Sequence, residues 1–338
     1  MNTKRISYLA AVLALATAGS ACDHDEIYTP LEFSVQLDPS NTYRVGDPVV
    51  FNFSGNADYI TAWNGDTGHE YVNRNRTTMP VSELETCQLT FSLSRRSGSN
   101  KGDVQVYVTN SFEGLSGRNA ATDKAAIEAI EADNFAGWTR LEVAEDNRSG
   151  QWATTTCNLL DVDGNGTALT DNFTLLIRWH PQSVTAQRNY YINTSLEVKF
   201  KNRESTSLNY ADLQFVNFNM ADEMAGKEYD VYSTGSKIGY LQYGQNAGNI
   251  ILNAIESGTM CSYLIDTWIF STPMALNHTT PDTGQSIKGV TDDVTSFSYT
   301  YDRPGTYTAT FVVANGNYQG ESGTQAYDVT FTIVESIE

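Results

Sequence analysis

Short runs in which apolar and polar residues alternate recur along the chain, broken by clusters of Gly, Asn and Asp. A period of two puts every second side chain on one face of an extended strand, whereas a helix needs a repeat near 3.6. The pattern therefore predicts strands at 33–36, 49–54, 59–63, 88–93, 104–109, 173–179, 190–200, 213–219, 249–254, 267–271, 296–301, 306–314 and 326–334. In the run 306–314, Tyr307, Ala309, Phe311 and Val313 share one face, which is expected to be core. Pro304 and Gly305 fit a tight turn between 297–301 and 307–313, with Pro fixing φ and Gly accepting a positive φ. Helical periodicity is nearly absent. One short helix is expected, with Thr122 capping a turn that begins at Asp123 and residues 125–130 carrying it to about Ala132. The fold class is all-β.

The first residues follow a different pattern. Lys4 and Arg5 precede an apolar run over 6–18, then come Gly19, Ser20, Ala21 and Cys22, and the chain turns acidic at Asp23, Asp25 and Glu26. That order is a secretory signal. The apolar run is too short to span a bilayer, which takes ~20 residues. A thiol directly after small residues resembles the bacterial lipoprotein box, with Gly19 standing where the box usually has Leu. The expectation is a signal peptide over 1–21, lipidation of Cys22 and an acidic tether over 22–30. Acyl chains contribute ~0.8 kcal/mol per buried methylene, so more than one chain anchors a protein to a membrane without a spanning helix. The acids after Cys22 resemble the export signal that sends Bacteroidota lipoproteins to the outer face of the outer membrane. The expected location is the outer membrane, lipid-anchored and facing outward.

Charge narrows the partners. The 338 residues carry 21 Lys and Arg against 40 Asp and Glu. Removing 1–21 takes away Lys4 and Arg5 and no acid, leaving 19 basic residues and a net charge of −21. Such a surface repels phosphate backbones, so nucleic acid is not an expected partner. Any membrane attachment then falls to the lipid. An apolar content of 40% with 5 Trp, 19 Tyr and 14 Phe is enough for packed cores. Besides Cys22, the thiols of Cys87, Cys157 and Cys261 are scattered and odd in number, unlike a disulfide framework. They read as small buried hydrophobes, with one disulfide as the alternative.

Two blocks carry a family resemblance. Residues 46–76 read GDPVVFNFSGNADYITAWNGDTGHEYVNRNR, and residues 281–315 read PDTGQSIKGVTDDVTSFSYTYDRPGTYTATFVVAN. Both resemble a family of Bacteroidota surface lipoproteins known only as a domain of unknown function, with ends like polycystic-kidney-disease (PKD) domains. VQVYVTNSFEG at 104–114, FTLLIRW at 173–179, NYYINTSLEVKF at 189–200 and TWIFSTPMAL at 267–276 continue the likeness through the middle. The resemblance implies fold and address but no reaction. The strands left after Asp292 are too few for a sandwich of about seven. One Ig/PKD-like sandwich is therefore expected from both chain ends, 31–111 with 285–338. A jelly-roll-like β-sandwich over 112–284 is inserted into it, of the carbohydrate-binding kind the resemblance implies.

Catalytic signatures are few. His24, His69, His180 and His278 stand alone, without a second ligand at metal-binding spacing. Nucleophile elbow, phosphate loop and dinucleotide fingerprint are missing, and no pattern selects a carboxylate pair for glycoside hydrolysis. The sharpest local signal is Asp161-Val-Asp163-Gly-Asn165-Gly166-Thr167. Oxygens at positions 1, 3 and 5 with Gly at 6 open an EF-hand-type calcium loop, but position 12 is Asn172 instead of Glu, and strands flank the loop. Two readings stand: a hairpin turn, which D-G and N-G favour alone, or a structural calcium held by Asp161, Asp163 and Asn165. No other cofactor is expected.

Tryptophans are candidates for saccharide stacking, because a sugar ring offers a flat C–H face to an aromatic one. Trp63 precedes Asn64-Gly65-Asp66, Trp152 follows Ser149-Gly150-Gln151, and Trp179 lies between Arg178 and His180. Each could be a platform with a polar rim or a core residue, while Trp138 and Trp268 read as core from their neighbours. The functional expectation is a non-catalytic surface lipoprotein that binds a polysaccharide or oligosaccharide beside an outer-membrane import complex of the starch-utilisation type. That expectation rests on architecture, which hosts many functions. The alternatives are an adhesion or assembly protein that binds other proteins, and a glycoside hydrolase or lyase.

Overall fold

The computed structural model describes residues 30–38, 43–184, 189–201, 206–209, 213–230, 239–242, 250–256, 259–316 and 322–335. Residues 1–29, on which the expected signal peptide, Cys22 and most of the expected tether fall, lie outside the described residues. Among those described, no helix is long and apolar enough to cross a membrane. The chain forms two compact units, Met1–Asn75 with Pro281–Glu338, and Arg76–Thr280.

The first unit takes β1 (Phe33–Leu37), β2 (Pro48–Gly55) and β3 (Tyr59–Trp63) from one end of the chain. From the other it takes β17 (Gln285–Lys288), β18 (Ser296–Thr300), β19 (Gly305–Gly316) and β20 (Ser322–Ile333). They form two antiparallel sheets, β1-β2-β18 and β17-β3-β19-β20. Each sheet joins the two ends: Phe51 of β2 lies opposite Phe297 of β18, and Ala62 of β3 opposite Phe311 of β19. The sheets close on each other through aromatic rings. Phe51 lies 5.1 Å from Phe311 and 5.6 Å from Phe331, centroid to centroid, and all three are buried. Ala309, Phe311 and Val313 are buried on the inner face, as alternation requires, and Tyr307 is half-buried beside them.

Pro304-Gly305 does not close a hairpin. β18 and β19 belong to different sheets, so the segment between them crosses the sandwich, and Gly305 opens β19 outside the left-handed region.

The middle unit is a second sandwich. Its larger sheet contains β4 (Leu84–Ser97), β7 (Trp152–Asn158), β9 (Asn189–Phe200), β10 (Thr206–Asn209), β12 (Gly239–Gln242) and β13 (Ile250–Asn253), in the order β12-β13-β9-β4-β7 with β10 also on β9. The smaller sheet runs β11 (Phe215–Asn219), β16 (Thr267–Ser271), β8 (Thr174–Trp179), β5 (Val104–Thr109), β6 (Thr139–Leu141). β14 (Ile255–Glu256) and β15 (Thr259–Met260) form a separate short pair. Leu89, Phe91 and Leu93 of β4 and Ile192 and Leu196 of β9 meet Val106, Val108, Leu175 and Ile177 of the opposite sheet in one core.

The boundary between units therefore differs from the expected one. The expected division puts 76–111 in the end-built sandwich and 281–284 in the middle one, but 281–284 belong to the first unit, and β4 and β5 pair inside the middle unit, with β7 and β9 and with β6 and β8. Alternation says which face of a strand is apolar and nothing about which sheet accepts it.

The smaller sheet is covered on its outer face as well. Helix α1 (Ala120–Ala132) sets Ile127 against Tyr107, Leu176, Phe218, Trp268 and Phe270. This explains why every residue of β8 is buried, with Leu175, Leu176 and Ile177 apolar on both faces. The cap of α1 is Asn119, whose side chain accepts a hydrogen bond from Thr122 N at 3.2 Å, so the helix begins before the expected Thr122 cap. Buried Asp123 accepts hydrogen bonds from Ser116 N, Ser116 Oγ, Gly117 N and Tyr229 OH, the last at 2.6 Å.

Candidate functional site

The outer face of the larger sheet over β7, β4 and β9 is unlike the rest of this acidic chain. Antiparallel register places its residues in rows: Trp152–Ser94–Tyr191, Thr154–Ser92–Asn193, Thr156–Thr90–Ser195 and Asn158–Gln88–Glu197. Only the last row carries a charge, and Lys199 lies 3.3 Å from Glu197. Elsewhere the row residues are hydroxyls, amides and two aromatics. Ser92 Oγ and Thr154 Oγ1 share a hydrogen bond of 2.9 Å, and Thr154, Thr156, Asn158, Asn193 and Ser195 are exposed.

At one end of the face stands Trp152, 43% exposed at the start of β7, which is the edge strand of the sheet. Its position is set by the loop before it. Gly150 N donates to Arg95 O at 2.7 Å and Ser149 Oγ to Arg96 O at 2.9 Å, fastening the loop to the end of β4. Arg148 Nε and NH2 donate to Asp146, which holds that carboxyl down at about 2. Across the sheet, the Arg96 guanidinium carbon lies 4.4 Å from the centroid of the Tyr191 ring. Between the two rings in register sits Ser94, fully buried, with no hydrogen-bond partner for its Oγ among the described residues. An exposed indole beside uncharged donors and acceptors can stack on an apolar ring face and bond the hydroxyls around it.

The other two candidate tryptophans are not platforms. Trp179 is fully buried in the core between the sheets of the middle unit. Its polar sequence neighbours misled: Arg178 points to the opposite face of a doubly covered sheet, where its guanidinium lies over Trp268 and between Asp266 and Glu131. Trp63 is half-buried and closed in, with Tyr71 edge-on at 5.0 Å. The backbone at Gly284 lies so close that a Cβ there would sit 2.7 Å from the indole.

Tyr191, Arg96 and the row hydroxyls were not found from the sequence. The available signal was that polar positions in 88–94, 152–158 and 191–195 are Ser, Thr, Asn, Gln and Tyr, with no charged residue among them.

The 161–167 loop bonds itself. Gly166 N donates to Asp161 Oδ1 at 2.7 Å, Asn165 N to Asp163 Oδ1 at 2.9 Å, and Thr167 Oγ1 to Asp163 Oδ2 at 2.7 Å. Gly164 and Gly166 adopt φ of +73° and +86°, as the turn requires. Among the described residues, no group of three or more His, Cys, Asp or Glu side chains could hold a metal ion. The bonds within the loop, which engage both Asp161 and Asp163, support the turn reading. Added calcium is expected to leave the melting temperature unchanged in differential scanning calorimetry, whereas Asp163→Ala lowers the melting temperature through its lost turn bonds. A calcium-dependent rise in melting temperature would reverse this reading.

Cys87 and Cys261 are buried and Cys157 half-buried, and none of the three is in a disulfide. Burial, with the nearby Cys157 adding to it, pushes the Cys87 thiol up to about 12. A group so far from ionising is a packing residue, not a nucleophile.

Neither curated proteins nor solved structures provide a match to this chain. Residues 21–218 match the family described as a domain of unknown function, DUF5017, a stretch that includes β4, β7 and β9 and so the whole candidate face. The chain belongs to the DUF5017 family.

Proposed function

We propose that this protein is a non-catalytic saccharide-binding lipoprotein, and that the outer face of β7, β4 and β9 receives the saccharide. The observation that carries the reading is Trp152, exposed at the edge of a sheet face lined by hydroxyls and amides. A sugar chain needs both of these, an aromatic plane for its C–H face and neutral polar partners for its hydroxyls. Anchoring through Cys22 to the outer face of a bacterial outer membrane, and work beside a polysaccharide import complex, complete the proposal. Support for them comes from the signal-like order of residues 4–26 and the acidic start after Cys22.

Affinity electrophoresis of the mature chain through gels containing single polysaccharides tests the site. Retardation by at least one polysaccharide is expected, with Trp152→Ala weakening it about tenfold or more, the equivalent of ~1.4 kcal/mol. Trp63→Phe, at a closed position, should leave retardation as it is. A chain that no polysaccharide retards, or a Trp152→Ala variant that binds like the parent, would remove the proposal. Anchoring is tested separately: Cys22→Ala should abolish labelling by radioactive palmitate and release the chain from the membrane fraction.

A further inference from the structure

Arg96 stands out on a protein with 40 acidic residues. It is exposed, its guanidinium rests on the Tyr191 ring, and no described carboxylate pairs with it. The neighbouring charges are otherwise engaged. Asp146 is taken by Arg148 at 2.6 Å and lies within the field of Arg95, and Glu197 faces Lys199 three rows away. A guanidinium held 4.4 Å over an aromatic ring is restrained in place, and its fork of N–H donors can meet a planar anion in two parallel hydrogen bonds. In the row of the Tyr191 ring on which it rests are the fully buried Ser94, with its unpartnered Oγ, and then the exposed Trp152. A neutral sugar would use the indole and the hydroxyls and leave the guanidinium idle.

We infer that the saccharide bound at this face is anionic, with a ring carboxylate or sulfate held by Arg96 while a neighbouring ring stacks on Trp152. The inference rests on the saccharide-binding reading above and adds the charge of the ligand to it. Selectivity follows from the same contrast, because a net charge of −21 disfavours polyanions in general and an anionic ligand then depends on a local cation such as Arg96.

The test uses the mature chain with three probes: polygalacturonate for carboxylates, dextran sulfate for sulfates, and neutral dextran. At least one of the two anionic probes should bind about tenfold more tightly than neutral dextran, and high salt should erase that difference. Arg96→Gln should abolish the preference, Arg96→Lys should restore part of it, and Lys199→Gln should leave it intact. Which anionic probe binds separates carboxylate from sulfate. Equal binding of neutral and anionic probes, or a preference that survives Arg96→Gln, overturns the inference while the saccharide reading stands. If neither these probes nor any neutral polysaccharide binds, both fall together. Circular dichroism of each variant shows that the sheet is intact, so a loss of preference reports on the site.

Discussion

Phe311→Ala is expected to lower the unfolding free energy of the end-built unit by about 3–5 kcal/mol, the range for deleting a buried Phe. Phe311 is fully buried in β19, the strand that pairs with both β3 and β20. Its ring meets three rings of the opposite sheet: Phe53 at 5.0 Å, Phe51 at 5.1 Å and Phe297 at 6.2 Å. Two of these come from the N-terminal end of the chain and one from the C-terminal end, so a single side chain ties the two together. With domains stable by only about 5–15 kcal/mol, the substitution removes a large share of what holds this unit folded. Urea unfolding gives the measurement. A midpoint that moves by the equivalent of less than ~1 kcal/mol would show that the two sheets do not close at this position.

The second large effect is electrostatic. Asp266→Ala is expected to destabilise the middle unit by about 3–5 kcal/mol, because it leaves the buried guanidinium of Arg178 without its main partner. Arg178 Nε and NH2 each donate to an Asp266 oxygen at 3.0 Å, and Glu131 of α1 takes NH2 at 2.6 Å. Burial works to raise the Asp266 pKa, but the His180 ring 3.3 Å away and the two hydrogen bonds from Arg178 outweigh it and hold the carboxyl below its ordinary range. A depressed carboxylate stabilises the fold above the unfolded value of about 3.9 and loses that contribution as pH falls through the folded value. The parent should therefore lose stability more steeply than Asp266→Ala on acidification below about pH 4, and the two curves should converge at low pH. Replacing the pair together, by Arg178→Met with Asp266→Leu, should recover much of the loss, since no charge is then left buried alone. Parallel curves down to the acid limit would show that Asp266 contributes through packing alone.

Strand positions were readable because a period of two is a local property. Residues 59–63, 104–109 and 267–271 are strands with the expected bounds. Partnership was not readable. Nothing in 84–109 distinguishes a strand that joins the end-built sandwich from one that joins the middle, because the choice rests on side chains as distant as Ile192 and Ile177. Local polarity misled in the same way at Trp179, where the flanking Arg178 is neutralised by Asp266 from 88 residues away. The candidate face was half visible. Trp152 was identifiable from its loop, but Tyr191 and Arg96 join it only through the register of β9 on β4.

The split of the first unit between the two chain ends has a kinetic consequence. β2 must find β18, and β3 must find β19, across more than 200 intervening residues. Closing a flexible loop of that length costs about 5 kcal/mol by the logarithmic rule, before any contact forms. Within the middle unit, however, Thr78 bridges His278, Met79 N donates to Asn277 O at 2.8 Å, and Thr279 N donates to Thr77 O at 2.9 Å. Once the middle unit has folded, the two points where the chain leaves it stand side by side, and most of that entropy has already been lost. The inserted unit thus acts as a clamp on the search of the two end segments, and folding should run from the centre of the chain outward, with β1 and β20 among the last strands to pair.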